Sequence, residues 1–315
     1  MPYDVVKAGL RGVAAGLLTP FDEDLDIVHW KLEENAEGLY EEGIRTFLAA
    51  ANISEYHALS QAERKAVVET SVDALPEDAV VLAGVGGSTG DAIDLIEAYD
   101  DAGADAMMVM PPDHTYLHER GLLRYYRELA AASDRPLVPY VRGFHPSVDY
   151  LADLTRVEGV AGIKYAIEDA VTLGAAVERG DDDVVWVDGL AEPFAPSFWA
   201  EGAEGFTAGV SNFEPRVGLA LFDALSAGEW GRAREIRDIA LPYQEFRSTT
   251  GENNSLGGAN SVPAVKRGLE NAGYHGGPVR EPIVGLSPAD RERADELYAQ
   301  LEADIERVIG RAADA

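Results

Sequence analysis

Residues 80–112, VVLAGVGGSTGDAIDLIEAYDDAGADAMMVMPP, read as one strand–helix–strand unit. Two near-continuous apolar runs, 80–86 and 106–111, flank an amphipathic stretch. In that stretch Ile93, Ile96, Tyr99 and Ala102 share a face at helical spacing, while Asp91, Asp94, Glu97, Asp100 and Asp101 lie largely on the other. Apolar runs without alternation mark strands covered on both sides, as in a parallel sheet. The glycines between them do not form a dinucleotide fingerprint, because Thr89 stands where GxGxxG needs its last glycine. They predict a tight strand-to-helix turn capped by Ser88 or Thr89.

The same rhythm runs outward in both directions. Further apolar runs fall at 12–20, 46–51, 137–141, 159–165, 184–190 and 204–210, separated by helical stretches such as 30–43, 60–75 and 121–133. Eight strand-then-helix units in about 225 residues predict a (β/α)8 TIM barrel over 1–227. An open doubly wound sheet competes, but eight regular units favour closure. Residues 228–315 carry three more helical patterns and no strand, which predicts a C-terminal three-helix appendage. The Gly/Asn-rich stretch 249–261 is too short for an interdomain linker and reads as an ordered loop.

Composition removes several classes of function. With no cysteine there is no disulfide scaffold, thiolate metal site or cysteine nucleophile. A formal net charge of −30 repels phosphate backbones, so nucleic acid is not an expected partner. No apolar run approaches the ~20 residues of a membrane span, and the first residues lack the charged-then-apolar layout of a secretion signal. The expectation is a cytoplasmic globular protein. Only five lysines stand against 21 arginines. Acidic excess with few lysines suits a protein of multimolar salt, where the Debye length is ~3 Å or less and hydrated carboxylates keep the surface solvated.

In a barrel, chemistry sits where the strands end. Those ends offer Thr19-Pro20, Asn52-Ile53-Ser54-Glu55-Tyr56, Gly84-Val85-Gly86-Gly87, Pro111-Pro112-Asp113-His114, Tyr140-Val141-Arg142, Lys164, Asp188 with Glu192, and Thr207 with Ser211-Asn212. Lys164 is the sharpest of these. It follows GVAGI in a strand that should be buried, where an idle ammonium is costly. Lys31 and Lys65 fall on amphipathic helices, Lys7 near the terminus and Lys266 in the appendage. A desolvated lysine inside a barrel loses basicity and becomes a nucleophile toward a carbonyl. The competing reading is a structural ion pair. Tyr140 ends the preceding strand, within reach of the space above Lys164, and could move protons there or simply bond the backbone. His114 and His118 have helical spacing but no evident third ligand, so no metal is expected.

With these residues aligned, the chain resembles the dihydrodipicolinate synthase/N-acetylneuraminate lyase family of class I aldolases over nearly its whole length. The matching pieces are GVAAGLLTPF (12–21), GVGGSTGDAIDLIEAYDDAGADAMMVMPP (84–112), GVAGIKYAIED (159–169) and the segment that follows from Trp186 to Pro215. The resemblance implies that Lys164 forms an imine with a 2-oxo acid and that Tyr140 shuttles protons. It also implies a homotetramer or dimer. The family's GTTGE carboxylate motif is here Ala51-Asn52-Ile53-Ser54-Glu55, without either threonine. The tyrosine that synthase-type members borrow from a neighbouring subunit is replaced near His114, with Tyr116 close by. Their arginine several residues past the strand-five tyrosine is absent, and Arg142 lies nearer. The patterns ANxSE and MPPxH instead resemble the dehydratase branch that acts on 2-keto-3-deoxy sugar acids.

The expectation is therefore dehydration of a 2-keto-3-deoxypentonate to 2-oxoglutarate semialdehyde. Asn52, Ser54 and backbone N–H groups at the end of the second strand would hold the carboxylate, with Thr207 nearby on strand eight, and Arg142 or His114 would contact distal hydroxyls or carry the leaving-group proton. No cofactor beyond the covalent imine is expected. Retro-aldol cleavage to pyruvate and an aldehyde is the alternative. Synthase-type condensation and 2-oxo acid binding without turnover are further ones.

Overall fold

The computed structural model describes residues 3–112 and 114–310; Asp113, one of the strand-end candidates, lies outside them. A short helix, α1 (Asp4–Leu10), precedes eight strand–helix pairs. These are β1 (Val13–Gly16) with α2 (His29–Glu41), β2 (Thr46–Ala49) with α3 (Gln61–Ala74), and β3 (Val80–Val85) with α4 (Thr89–Ala102). Next come β4 (Ala106–Val109) with α5 (Glu119–Ala130), β5 (Leu137–Val141) with α6 (Val148–Thr155), and β6 (Gly162–Tyr165) with α7 (Ala170–Arg179). Then follow β7 (Val185–Asp188) with α8 (Ala195–Ala200) and β8 (Gly205–Thr207) with α9 (Pro215–Ser226). The strands close in chain order into one all-parallel barrel, β8 returning to β1. The fold is a (β/α)8 TIM barrel.

The unit at 80–112 shows why the chain folds this way. Val80–Val85 is buried throughout, and the side chain of Ser88 accepts the Asp91 N–H to start α4, a cap worth ~1 kcal/mol. Gly103, at φ 87°, ends the helix in the left-handed region that glycine enters without steric cost. The buried stripe is Ala92, Leu95, Ile96 and Tyr99, with Ile93 and Ala102 half-buried at its edges. It is rotated slightly from the face the spacing suggested, because a helix on a barrel buries a stripe wider than one row of side chains.

Alternation along the strands separates two cores. Ile163, Tyr165, Trp186 and Phe206 point into the layer between barrel and helices. Val138, Tyr140, Val185 and Val187 fill the barrel interior. Val6 and Leu10 of α1 pack into that interior cluster and close its lower end, an element the sequence reading did not anticipate. Three further helices, α10 (Trp230–Arg247), α11 (Ser261–Asn271) and α12 (Pro288–Val308), follow the barrel. The first of them packs on α9, α8 and α12. No helix among the described residues is long and apolar enough to cross a membrane.

Candidate active site

A cavity of about 840 Å³ opens at the C-terminal ends of the strands. Its lining includes Lys164 and Tyr140. Ile163 and Tyr165 face outward, so the two-residue period turns Lys164 inward. Gly189 leaves room for its stem: a Cβ there would lie 3.1 Å from Lys164 Cγ.

Three lysines are buried among the described residues: Lys7, Lys164 and Lys266. Lys7 pairs with Asp183 at 2.5 Å and Lys266 with Glu55 at 2.6 Å. Lys164 has no carboxylate within 4.0 Å among the described residues; its Nζ lies 4.2 Å from the centre of the Tyr140 ring. Burial, reinforced by the positive charge of Arg142 and only partly opposed by Asp188, pushes its amine down to about 7. An amine this weakly basic is substantially unprotonated at neutral pH, so its lone pair is free to attack.

Tyr140 sits directly beside it, because Tyr140 and Lys164 are Cα partners in the β5–β6 register. Its hydroxyl lies 3.5 Å from Arg142 Nη1, on the edge of hydrogen-bonding range. Burial raises the phenol above its ordinary value, against the pull of Arg142, so it enters the site protonated. Arg142 itself is exposed and lines the cavity.

The β2 loop supplies uncommitted donors. Asn52 and Ile53 line the cavity. The Ala51 carbonyl accepts the N–H groups of Ser54 and Tyr56, which leaves those of Asn52 and Ile53 without an acceptor among the described residues. Ile53 packs where Gly16 has no side chain, since a Cβ on Gly16 would come within 2.3 Å of its Cγ2. Thr207 also lines the cavity, with its hydroxyl donating to the Asp188 carbonyl at 3.3 Å.

Two of the expected contacts are corrected. Ser54 is fully buried and off the cavity, with its Oγ taken by the Ala51 N–H at 3.0 Å. It shapes the loop and is not in position to bind substrate. His114 is exposed on the β4–α5 loop, where Nδ1 accepts the Tyr116 N–H at 3.0 Å, and it does not reach the cavity. His118 caps α5 by accepting the Arg120 N–H. No group of three potential metal ligands occurs among the described residues.

Other strand-end residues prove to be scaffold. Asp188 shares the outward parity of Trp186, and its Oδ1 accepts the Leu190 N–H at 2.7 Å. Burial drives its carboxyl well above the ordinary range. Glu192 is enclosed, accepting the N–H groups of Gly209 at 2.9 Å and Ser211 at 3.0 Å, the Ser211 hydroxyl at 2.6 Å, and the Gln244 amide. Gly209 makes that contact possible, because any Cβ there would collide with Gln244 and Glu192.

The far wall was not anticipated from sequence. Gln244, Arg247 and Ser261, from α10 and the start of α11, line the same cavity. Arg247 donates to Gln244 Oε1 and, at 3.3 Å, to Ser261 Oγ, while its buried Nε has no hydrogen-bond partner among the described residues. Glu192, Gln244, Arg247 and Ser261 thus form one chain from β7 into the C-terminal helices. In a chain with 56 acidic residues, neither cavity arginine has a carboxylate within 4.0 Å among the described residues. Two guanidinium groups and a lysine therefore face one space that Glu168 and Glu245 also line, so a small organic anion would find its cationic partners there beside two carboxylates. No local pattern around residue 247 signals this, since only the folding of α10 against the barrel brings it there.

The chain is similar to known proteins over most of its length. The dihydrodipicolinate synthetase family profile matches residues 9–303. A 4-hydroxy-tetrahydrodipicolinate synthase of Natronomonas pharaonis is 29% identical over 296 residues, covering 92% of this chain and 97% of its own. A probable 5-dehydro-4-deoxyglucarate dehydratase of Saccharopolyspora erythraea is 28% identical over 309 residues, covering 96% and 97%. The crystal structure of dihydrodipicolinate synthase from Oceanobacillus iheyensis superposes with a TM-score of 0.89 at 31% identity, covering 96% of this chain and 99% of that one.

Proposed function

Because the chain belongs to the dihydrodipicolinate synthetase family and is a lyase of that family, we propose that it dehydrates a 2-keto-3-deoxy sugar acid through an imine on Lys164. The observation that carries this reading is the buried Lys164 amine, weakened to about 7 and without a carboxylate within 4.0 Å among the described residues, in a cavity of about 840 Å³. A lysine kept there as a structural cation would need a counterion.

The amine attacks the C2 ketone, and loss of water leaves an iminium. That cation draws the C3–H electrons into an enamine as a base removes the proton. The enamine then expels the C4 hydroxyl, which leaves as water once protonated. Hydrolysis of the resulting imine frees Lys164. For a 2-keto-3-deoxypentonate the net change is loss of one water to 2-oxoglutarate semialdehyde, after tautomerisation. The iminium is the electron sink, so the scheme uses no external cofactor. Tyr140 is the proton carrier nearest the nitrogen. The free N–H groups of Asn52 and Ile53 and the Asn52 amide take the C1 carboxylate, with Thr207 lining the cavity nearby. Arg142 and Arg247 face the distal hydroxyls or a distal carboxylate.

Ile53 offers no hydroxyl where the synthase motif carries threonine, which favours a dehydratase over synthase-type condensation. Relatives of similar identity are named as a synthase and as a dehydratase of a 4-deoxy-5-keto sugar acid, so the choice between them rests on this loop residue. The test is borohydride reduction in the presence of pyruvate and of several 2-keto-3-deoxy acids, followed by peptide mass analysis and product identification. Irreversible modification of Lys164, with water loss from the sugar acid, is expected. Pyruvate released from the sugar acid would replace dehydration by retro-aldol cleavage, and an unmodified Lys164 would overturn the imine.

A further inference from the structure

The donor loop at the end of β2 is bracketed by two non-glycine residues in the left-handed region, Ala50 at φ 47° and Glu55 at φ 62°. Residues with a Cβ stay in that region only when their surroundings over-determine them. The surroundings here come from the C-terminal segment. Glu55 is 2% exposed, and its Oε1 pairs with Lys266 Nζ of α11 at 2.6 Å. Its Oε2 accepts the backbone N–H of Arg280 at 2.9 Å. Lys266 Nζ also donates to the Pro278 carbonyl at 2.5 Å, tying the pair to the strap between α11 and α12.

The strap is fastened in turn. The Arg280 guanidinium donates to the Leu25 carbonyl at 2.6 and 3.0 Å and to the Ala58 carbonyl at 3.2 Å. It also pairs with Glu63 at 2.7 Å, and Glu63 belongs to the capping box of α3. The Phe21 ring lies under both cations, 4.5 Å from Lys266 Nζ and 4.4 Å from the Arg280 guanidinium carbon. Neither Glu55 nor Lys266 lines the substrate cavity, so neither can touch the reacting atoms.

We propose that Glu55 and Lys266 are positioning residues: their buried ion pair lets the C-terminal helices set the conformation in which Asn52 and Ile53 present free N–H groups to the substrate carboxylate. This rests on the reading that those groups bind the carboxylate. The C-terminal segment then acts on the site twice, directly through Arg247 and at a distance through Lys266. A pair that served stability alone would leave the affinity for a carboxylate unchanged in any variant that still folds.

The experiment compares the unaltered protein with Lys266→Met and with Glu55→Gln/Lys266→Met. The double variant leaves no lone buried charge and keeps the test open if the single variant does not fold. Hydrogen exchange is followed over residues 50–56, and Lys164 is trapped with borohydride using pyruvate and, separately, hydroxyacetone, which has no carboxylate. The expected result is at least tenfold faster exchange over 50–56 and at least a tenfold rise in the pyruvate concentration giving half-maximal trapping, with hydroxyacetone trapping changed less than twofold. Exchange and pyruvate dependence both within twofold of the unaltered protein would overturn the proposal, as would equal loss with both probes. If pyruvate never traps Lys164 in the unaltered protein, the imine reading falls, and exchange over 50–56 still decides the clamp.

Discussion

Lys164 and Tyr140 are partners in the parallel β5–β6 register, and the lysine nitrogen lies 4.2 Å from the centre of the tyrosine ring. The geometry separates two functions of one tyrosine. Its ring packs beneath the amine, while its hydroxyl turns toward Arg142, 3.5 Å away. Amine and phenol are thus adjacent without being hydrogen-bonded to one another, and each can exchange protons with a bound substrate.

Imine formation needs the unprotonated amine, and the Lys164 amine is held at about 7. The rate of borohydride trapping should therefore rise about tenfold per pH unit below that value and level off above it. Arg142 helps depress the amine, so Arg142→Gln should move the midpoint to higher pH. A trapping rate flat between pH 5 and 9 would contradict this.

Tyr140→Phe keeps the ring and removes the hydroxyl. Turnover should fall by roughly 10²- to 10⁴-fold, the usual range for a lost general acid–base group. Trapping of Lys164 by pyruvate should persist, and retention of full turnover would remove Tyr140 from the mechanism.

Arg247→Gln is expected to separate short from long substrates. Pyruvate does not extend to the far wall, so its trapping should change little. For a 2-keto-3-deoxy acid, KM should rise about tenfold, corresponding to about 1.4 kcal/mol. Equal effects on both would mean that Arg247 only supports the fold.

A buried amine weakened from its ordinary 10.5 to about 7 costs stability at neutral pH. The unfolded chain holds a proton there that the folded chain binds less readily, so this cost grows as pH falls from 10.5 toward 7. Lys164→Met should therefore be inactive and more stable at pH 7, by an amount on the order of 1–4 kcal/mol. Thermal melts at pH 7 and pH 10 provide the check: the gain should shrink at the higher pH.

With a net charge of −30, self-repulsion should dominate stability in dilute buffer. The melting temperature should climb as KCl rises from 0.1 M to 2 M, where the Debye length falls from about 10 Å to ~3 Å or less. A melting temperature that does not rise would remove the assignment to a high-salt environment.

Periodicity and the count of units pointed to the barrel. Apolar runs such as 80–86 and 106–111 recur with amphipathic stretches between them, which marks parallel strands covered on both faces, and eight such units favoured closure over an open doubly wound sheet. Lys164 was legible for the same reason, because a charged residue in an apolar strand violates a local rule that any reader of the chain can apply. The C-terminal contribution was not legible. Arg247 and Lys266 follow the lysine strand by more than eighty residues and sit in helices that look like ordinary surface elements. Only packing of α10 and α11 against the strand ends makes one a wall of the cavity and the other the counterion of Glu55. His114 and Ser54 show the converse. Their chain positions placed them at strand ends, but loop geometry turned one to solvent and the other into its own backbone. Strand position follows from local pattern, whereas the direction of a loop side chain depends on contacts between distant segments, which hydrophobic periodicity does not encode.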